Sequence, residues 1–521
     1  MKKWIVLFSI GIYLLLINLD LTIVNLALAE FSKDFNASIE QIQLVIVSYL
    51  AAAAAFFCLS GVLADRYGKK RVFMAGGLLF VLSSLYIGAF AHSIEAIIAA
   101  RFVQGIGFSA TLGLALILIG KAFPPEQKGL ATGVAVTITG IGLAAGPPLG
   151  GFILQAFGWE MIFLINVPLG LLSLLLTAAF VDRDDANELS ARKLDVVGVP
   201  LYLLGLGCLI VLSNALATLT WAQIGALAGV GAISTVLFVR RSLRVEAPLI
   251  NLSLLKNGTY LTVVGIRIIF NFVMASFLFV LPLFMQNILN YSKVRAGLWV
   301  LCMTACIFVV GPITGKVIDR HGYKLPTLTG MTLLLVSCAA FLTLRVDLSI
   351  VLFVIGLVSF GLSNGTLTTA TINGATSQVS PKHTGTAIGL FFTLSMVGAM
   401  FGVAVSGLIL SKVGELELAR HIASAAATFT PEQLRALQGL VNASQNLVNV
   451  AGTFADHPID TVRDLVNTSY VPAMRALMAF NALLAAIGIG LSVALFKRKE
   501  TRPAESTDTP QSRNEHLEGA L

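Results

Sequence analysis

One acidic residue, Asp20, lies inside the first apolar run of the sequence, in the segment INLDLTIVN at residues 17–25. A carboxylate at the centre of a membrane-spanning helix costs roughly 2.5 to 3.5 kcal/mol on insertion scales, so an acid in this position indicates a partner or a function. Burial favours the neutral acid, whereas a nearby cation favours the carboxylate. Asp20 could therefore take up and release a proton as its surroundings change.

Arg101 is the cation best placed to act with Asp20. It lies close to the beginning of the fourth apolar run, whereas Asp20 lies near the end of the first, about 25 Å from its beginning at 1.5 Å per residue. Because successive spans alternate in direction, both residues should lie in the outer half of the membrane. We expect a proton-coupling pair. Two simpler roles stay open, namely Arg101 as an anchor at the membrane surface and Asp20 as a static partner of Arg101 or Asn25.

Other polar residues at membrane depth are candidates for lining a substrate cavity, although hydrogen bonds between helices would explain any single one equally well. They are Asn18, Thr22, Asn25, Tyr49, Gln104, Asn271 and Gln286. Arg267 could snorkel to the inner surface, or it could serve the cavity or the coupling. The histidines fall in or beside connections, and the sequence has no constellation of nucleophile, base or metal ligands. Neither an enzyme nor a metal site is predicted.

The composition indicates that these residues are positioned by membrane helices. The 521 residues are 56% hydrophobic and 12% charged, and the mean hydropathy is +0.87. Such a chain has more apolar residues than one soluble core can use. The net charge of +8 comes from basic residues between apolar runs, which is typical of membrane orientation and not of nucleic-acid binding.

The apolar runs predict an all-α polytopic membrane protein with 14 transmembrane helices, since about 20 apolar residues span a bilayer as a helix. They lie at 4–27, 41–63, 72–91, 94–120, 130–155, 160–181, 195–213, 219–239, 260–287, 297–318, 326–344, 348–371, 385–411 and 474–496. We read the first run as an uncleaved helix because Asn18, Asp20 and Asn25 interrupt what would be the approach to a signal-peptide cleavage site.

The basic residues predict the orientation. With the N-terminus inside, 24 of the 35 Lys and Arg residues fall on the cytoplasmic side, so both termini are predicted to be cytoplasmic. Residues 412–473 are then a long outer loop, in which Thr430-Pro431-Glu432-Gln433 has the pattern of a helix start. We expect short amphipathic helices there and a disordered cytoplasmic tail over 497–521.

A repeated motif divides the chain into two halves. GVLADRYGKK at 61–70 returns as GKVIDRHGYK at 315–324, and the glycines of helix 5 return in helix 13. We therefore predict a six-helix bundle over 1–181, two inserted helices over 182–259, and a second six-helix bundle over 260–496. Halves of this kind are typical of transporters that rock around a site near the membrane midplane.

The repeated loop is predicted to be a gate. In it, the glycines allow close approach or a turn, the acid can accept from a helix N-terminus or an arginine, and Arg66, Lys69, Lys70 and Arg71 should stay in the aqueous interface. A plain positive-inside loop is the alternative. The gate residues are Gly61, Asp65, Arg66, Gly68, Arg71, Asp319 and Arg320.

Helix 5 carries a second motif, GLAAGPPLGG at 142–151. Gly142, Gly146 and Gly150 recur every fourth residue, Gly151 follows, and Pro147 removes a backbone hydrogen bond and invites a bend. A packing role alone is the alternative to a role in transport.

In these motifs, together with RFVQGIGFSA at 101–110 and WEMIFLINVPLG at 159–170, the chain resembles the major facilitator superfamily, and within it the drug:proton antiporters of the EmrB/QacA type. The resemblance implies the major facilitator fold of two six-helix bundles plus two inserted helices. It further implies multidrug efflux by antiport without a bound cofactor, a paired gate latch, and a periplasmic adaptor and outer-membrane channel as partners.

We therefore expect a proton-coupled antiporter of the inner (plasma) membrane, surrounded by lipid, that exports amphiphilic small molecules and so confers antibiotic resistance. Because Asp20 is the one secure intramembrane acid, neutral, zwitterionic or monocationic substrates are favoured over dications. A dedicated exporter of an endogenous metabolite, such as a siderophore or a lipid-like product, is the alternative within transport. A receptor or scaffold without transport activity is the alternative from another class.

Overall fold

The structure is a computed structural model that describes most of the chain. The described residues are 2–35, 37, 39–184, 195–215, 220–245, 248–249, 253–285, 289, 291, 293–343, 350–379, 384–424, 429–441, 451–454 and 458–497. The predicted disordered tail lies outside them except for Lys497. The elements in the described part are α-helices and short 3-10 turns, as expected for an all-α membrane protein.

The helices of the N-terminal half and of the insertion follow the apolar runs. They are α1 (Lys2–Asp34), α2 (Ile39–Tyr67), α3 (Lys69–Phe90), α4 (Ile94–Ala122), α5 (Lys128–Phe157), α6 (Glu160–Leu164), α7 (Asn166–Phe180), α8 (Gly198–Ala215) and α9 (Trp221–Ser242). The predicted sixth span is divided at Ile165 into α6 and α7.

The C-terminal half contains longer helices. They are α10 (Ser253–Lys256), α11 (Gly258–Leu283), α12 (Lys293–His321), α13 (Lys324–Leu342), α14 (Ile350–Thr376), α15 (Thr384–Ser424), α16 (Pro431–Val441) and α17 (Ile459–Lys497).

Twelve stretches in the described part are long and apolar enough to span a membrane. The two predicted spans that are not among the twelve fall on α8 and α12. In α8 the apolar stretch Gly198–Leu212 is shorter than a full span, and α12 is 29 residues long with Pro312 inside it. The described residues thus contain twelve candidate spans, compared with the fourteen predicted from the sequence.

The packing of the helices follows the sequence repeat. In the N-terminal half α1 packs against α5, and α4 packs against α2 and α3. In the C-terminal half α11 packs against α15, and α14 packs against α12 and α13. The two halves meet where α5 packs against α12 and α2 packs against α15. Equivalent helices therefore form both sides of the interface.

The helices that flank the predicted outer loop 412–473 are longer than the sequence predicts. α15 continues to Ser424 and α17 begins at Ile459, so much of the predicted loop is helical. Ion pairs at a spacing of three residues, Lys412 with Glu415 and Arg420 with Glu417, lie on the extension of α15. The apolar pattern predicts where a helix enters lipid. It does not predict where that helix ends.

The helix start predicted at Thr430 is confirmed. The Gln433 backbone N–H donates to Thr430 Oγ1 at 3.3 Å, and the Thr430 backbone N–H donates to Gln433 Oε1 at 2.9 Å, which completes a capping box. α16 buries Leu437 and Leu440 and packs against α15 and α17.

Candidate functional site

Asp20 and Arg101 form a buried ion pair between α1 and α4. Arg101 Nη1 donates to Asp20 Oδ2 at 2.6 Å, and the two side chains are 2% and 0% exposed. The guanidinium also lies 4.1 Å from the ring centroid of Tyr49, and Nε donates to the carbonyl oxygen of Val45 at 3.4 Å. Arg101 therefore points into the bundle, and its alternative role as an anchor at the membrane surface is wrong.

Three further side chains complete the network around the carboxylate. Gln104 accepts from Arg101 Nη1 at 2.7 Å and donates to Ser84 Oγ at 2.7 Å and to Asp20 Oδ1 at 3.4 Å. Asn166 Nδ2 donates to Asp20 Oδ1 at 3.0 Å and to Ser84 Oγ at 3.3 Å. Both carboxylate oxygens thus accept hydrogen bonds, which is how a buried charge is stabilised.

Ser84 and Asn166 were not predicted as site residues. Asn166 is the first residue of α7, where the break at Ile165 places its side chain against α1 and α3. A signal for it exists, since Asn166 is an amide two residues before Pro168 in an apolar run. Ser84 is one of many serines in apolar helices, and its sequence surroundings do not distinguish it.

The predicted cavity residues do not all meet at one place. Tyr49 and Gln104 join the Asp20 network, whereas Asn18 donates to the carbonyl of Leu14 and Thr22 donates to the carbonyls of Leu19 and Leu143. Asn271 is buried in α11 with no hydrogen-bond partner for Oδ1. The side chain of Asn25 and all of Gln286 lie outside the described residues.

A second group of contacts joins the two halves at the end of the bundle that carries residues 61–70 and 315–324, hereafter the motif end. Asp65 accepts from the backbone N–H groups of Gly385 and Thr386 at 2.8 and 2.7 Å and from Thr386 Oγ1 at 2.6 Å. These groups begin α15, whose N-terminus favours a negative charge. Two partners were predicted for Asp65, a helix N-terminus and an arginine, and the structure shows the helix N-terminus.

The repeated motif makes the equivalent contact in the other direction. Asp319, at the end of α12, accepts from the backbone N–H groups of Gly129 and Leu130 at 2.6 and 2.9 Å, where α5 begins. Each half therefore contributes one carboxylate and one helix N-terminus to the motif end.

Glycines let the helices approach closely at the same place. A Cβ on Gly61 would lie 2.1 Å from the carbonyl oxygen of Gly385, and one on Gly315 would lie 2.2 Å from that of Gly129. Gly68 adopts φ +103 at the turn between α2 and α3, a conformation that favours glycine. The motif end is therefore closed by backbone contacts that no larger residue would fit.

The basic residues of the motif divide between solvent and interior. Arg71 and Arg320 are exposed, and Arg66 lies over the ring of Tyr67 at 5.1 Å. The prediction that Lys69 lies in the aqueous interface is wrong, because it is 1% exposed and its Nζ lies 3.9 Å from Asp65. Burial of Lys69 follows from its position one turn after Asp65, which places its ammonium against the buried carboxylate.

The glycine motif of α5 faces α1. A Cβ on Gly142 would lie 2.5 Å from the carbonyl oxygen of Leu15, and one on Gly146 would overlap Thr22 Oγ1. Gly150 is buried, whereas Gly151 faces open space. The side chain of Pro147 lies outside the described residues.

Arg267 does not snorkel to the surface. It is 7% exposed in α11, its Nη1 donates to Thr368 Oγ1 at 3.2 Å, and its Nε has no hydrogen-bond partner. Within the part of the chain that the structure describes, no three His, Cys, Asp or Glu side chains are grouped to bind a metal ion.

Residues 10–403 match the family described as Major Facilitator Superfamily. The chain belongs to the major facilitator superfamily. This confirms the resemblance seen in the sequence, and it makes the chain a transporter and not an enzyme. The human organic anion transporter MFSD10 has the same fold, with a TM-score of 0.57 and 14% identity over 93% of this chain and 99% of that one.

Several relatives within the superfamily are named for drug or antibiotic resistance. The chain is 29% identical to the tetracenomycin C resistance and export protein of Streptomyces glaucescens, over 98% of this chain and 95% of that protein. It is 30% identical to the multidrug resistance protein Stp of Mycobacterium tuberculosis, over 80% and 77% of the two chains.

Proposed function

We propose that this chain is a proton-coupled antiporter that exports amphiphilic small molecules across the inner membrane by alternating access. The observation that carries the proposal is the Asp20–Arg101 pair, an acid and a base buried together in the helices of a transporter. The export direction is supported by the relatives, whose names describe resistance, export and multidrug resistance.

The pair supplies a way to couple proton transfer to a conformational change. In the described state Asp20 accepts from Arg101, Gln104 and Asn166, all of which stabilise the carboxylate. Movement of α1 relative to α4 or α7 would break these contacts and favour protonation. Protonation in turn removes the attraction to Arg101, so the proton and the packing of the helices bias one another.

The contacts at the motif end supply the second requirement, a gate. Asp65 and Asp319 each bind the first N–H groups of a helix in the opposite half, so both contacts must break when the halves separate at this end. We assign the motif end to the cytoplasmic side, because most Lys and Arg residues between the predicted spans fall on the side that carries it. The described state then faces outward.

Transport in inverted membrane vesicles tests the proposal. With an acidic lumen, the protein should drive accumulation of a fluorescent cation such as ethidium in the lumen. Asp20→Asn should abolish the gradient-driven accumulation and retain ethidium binding, because the amide keeps the size of the side chain and cannot exchange a proton.

Asp464→Asn is the matched control, since it removes an exposed acid on α17, a helix that contributes no residue to the network. It should transport like the unmodified chain. Full gradient-driven transport by Asp20→Asn would refute the coupling role of Asp20. Absence of transport by the unmodified chain across neutral, zwitterionic and cationic dyes would refute multidrug export.

A further inference from the structure

Among the described residues, Arg267 differs from the other buried cations in having no carboxylate partner. Three Lys and Arg residues are buried among the described residues, and two of them have a carboxylate partner: Lys69 has Asp65 and Arg101 has Asp20. Arg267 is also buried, being 7% exposed, and no described carboxylate forms an ion pair with it. An unpaired buried charge is strongly unfavourable, so an anion from outside the chain would stabilise this side chain.

The guanidinium also has unused hydrogen-bond donors. Of its five N–H groups, one donates to Thr368 Oγ1, and Nε is buried without an acceptor. Asn364 lies one turn before Thr368 on α14, and its Nδ2 reaches only the thioether sulfur of Met274, at 3.7 Å, which is a weak acceptor. Arg267 and Asn364 therefore present donors that no described residue satisfies.

The three side chains differ in their exposure. Thr368 and Asn364 are half-buried, whereas Arg267 is almost fully enclosed. A ligand that approaches from the side of α14 would therefore meet the hydroxyl and the amide first and the guanidinium behind them. Asn271, one turn after Arg267 in α11, adds a buried amide whose Oδ1 has no partner.

Aromatic rings flank the cation on its other sides. The guanidinium carbon lies 5.3 Å from the ring centroid of Phe270 and 5.4 Å from that of Phe391. Phe391 is followed by Phe392, whose ring stacks on Phe57 of the N-terminal half at 5.3 Å. The Phe270 and Phe391 side chains are fully buried, so they enclose the cation on these sides. The cation thus lies close to the interface between the halves.

We propose that Arg267, Thr368 and Asn364 form a subsite for the carboxylate of an amphiphilic organic acid. The inference rests on the proposed export function and extends its substrates from neutral and cationic amphiphiles to organic acids. Arg267 supplies the charge and Asn364 supplies a neutral donor. Thr368 positions both, because its hydroxyl accepts from Arg267 Nη1 and donates to Asn364 Oδ1 at 3.3 Å. Asp20 does not bind the acid in this proposal. It lies in the N-terminal half, whereas the subsite lies in the C-terminal half.

Equilibrium binding to the purified full-length chain in detergent at pH 7.5 tests the subsite without any gradient. The probes are 1-pyrenecarboxylic acid, which is ionised at this pH, and 1-pyrenecarboxamide, which has nearly the same shape and no charge. Fluorescence anisotropy should show that the unmodified chain binds the acid about tenfold more tightly than the amide, as a charge-assisted hydrogen bond in a buried site would give.

Arg267→Gln should remove this preference and leave the affinity for the amide nearly unchanged, and Arg267→Lys should restore part of it. Thr368→Val, which keeps the shape of the side chain, should weaken binding of the acid about threefold, because it removes the hydroxyl that positions Arg267 and Asn364. Arg240→Gln is the matched control, because it removes an exposed arginine at the end of α9 and should keep the full preference.

Equal affinity of the unmodified chain for acid and amide would overturn the proposal, as would an acid preference that survives Arg267→Gln. If Arg267→Gln does not fold, Thr368→Val and Asn364→Ala decide the question, and an unchanged preference in both overturns it. The transport assay tests the export function independently of the binding assay. If the unmodified chain does not transport ethidium but prefers the acid, the antiporter proposal is refuted and the subsite proposal is not.

Discussion

At the scale of single residues, the Asp20 network distinguishes a buried charge that is satisfied from one that is not. The carboxylate of Asp20 accepts from an arginine and two amides, whereas Arg267 has one hydroxyl as its hydrogen-bond partner. The first arrangement is complete within the described chain. The second is completed by a ligand in our proposal.

The stability of variants should report the coupling between Asp20 and Arg101. Asp20→Leu leaves a buried guanidinium without its partner, a change that lowers the free energy of unfolding by roughly 3 to 5 kcal/mol. Exchange of both partners for apolar residues is often close to neutral. We expect Asp20→Leu and Arg101→Met each to lower the apparent melting temperature in detergent. The double variant should melt at a higher temperature than Asp20→Leu alone.

An exposed ion pair provides the comparison for this cycle. Lys412 and Glu415 are 71% and 33% exposed, and such pairs contribute about 1 kcal/mol or less. Lys412→Met should therefore melt close to the unmodified chain. Strictly additive losses in the Asp20 and Arg101 variants would contradict the direct pairing that the structure describes.

The sequence predicted the members of this site whose position follows from their depth in the membrane. Asp20 and Arg101 could be placed at similar depth because residue counts along straight helices give depth directly. Asn166 could not be placed in the site, because its position depends on the break at Ile165, and Ser84 could not, because only the packing of α3 against α4 brings it to Gln104.

At the scale of elements, close helix approach depends on a few glycines, and one of them allows a direct test. A Cβ on Gly61 would lie 2.1 Å from a backbone carbonyl of α15, so a side chain there forces α2 and α15 apart. We expect Gly61→Val to fold but to fail to close the motif end, with a loss of ethidium transport of more than about tenfold.

Spin labels on opposite halves measure the expected opening. Tyr67→Cys and His321→Cys place labels at exposed positions of the motif end in a background without native cysteines. Their distance should increase in Gly61→Val. Gly120→Val is the control, since a Cβ on Gly120 meets no atom within 4 Å, and the label distance should stay the same. An unchanged distance in Gly61→Val would show that α2 and α15 tolerate the side chain without separating.

The limits of prediction at this scale have a physical cause. The capping box of α16 was predictable because it depends on residues three apart in the chain. The lengths of α15 and α17 were not, because hydropathy responds to the lipid boundary, and helices that pack against one another beyond it keep their hydrogen bonds in water. Leu418 illustrates this, being buried on α15 beyond the predicted span.

At the scale of the whole molecule, the symmetry of the two halves explains why the gate has two equivalent contacts. Asp65 of the first half binds the N-terminus of α15, and Asp319 of the second half binds the N-terminus of α5. The sequence repeat predicted two related halves. Which helices face each other across the interface became visible only in three dimensions, because hydropathy gives no information on neighbours.

If transport requires the halves to move against each other, a covalent link between them should stop it, and a link within one half should not. Phe57 of α2 offers both comparisons: its ring lies 5.3 Å from that of Phe392 in α15 and 5.8 Å from that of Phe108 in α4. In a background without native cysteines, Phe57→Cys with Phe392→Cys can be joined by a short, reducible bifunctional thiol reagent. We expect more than about tenfold loss of ethidium transport, reversed by a reductant.

The same treatment of Phe57→Cys with Phe108→Cys should leave transport within about twofold of the untreated variant, because α2 and α4 belong to one half and move together. Equal inhibition by both links would argue against rigid halves, and transport that survives the link between α2 and α15 would rule out the rocking motion at this interface.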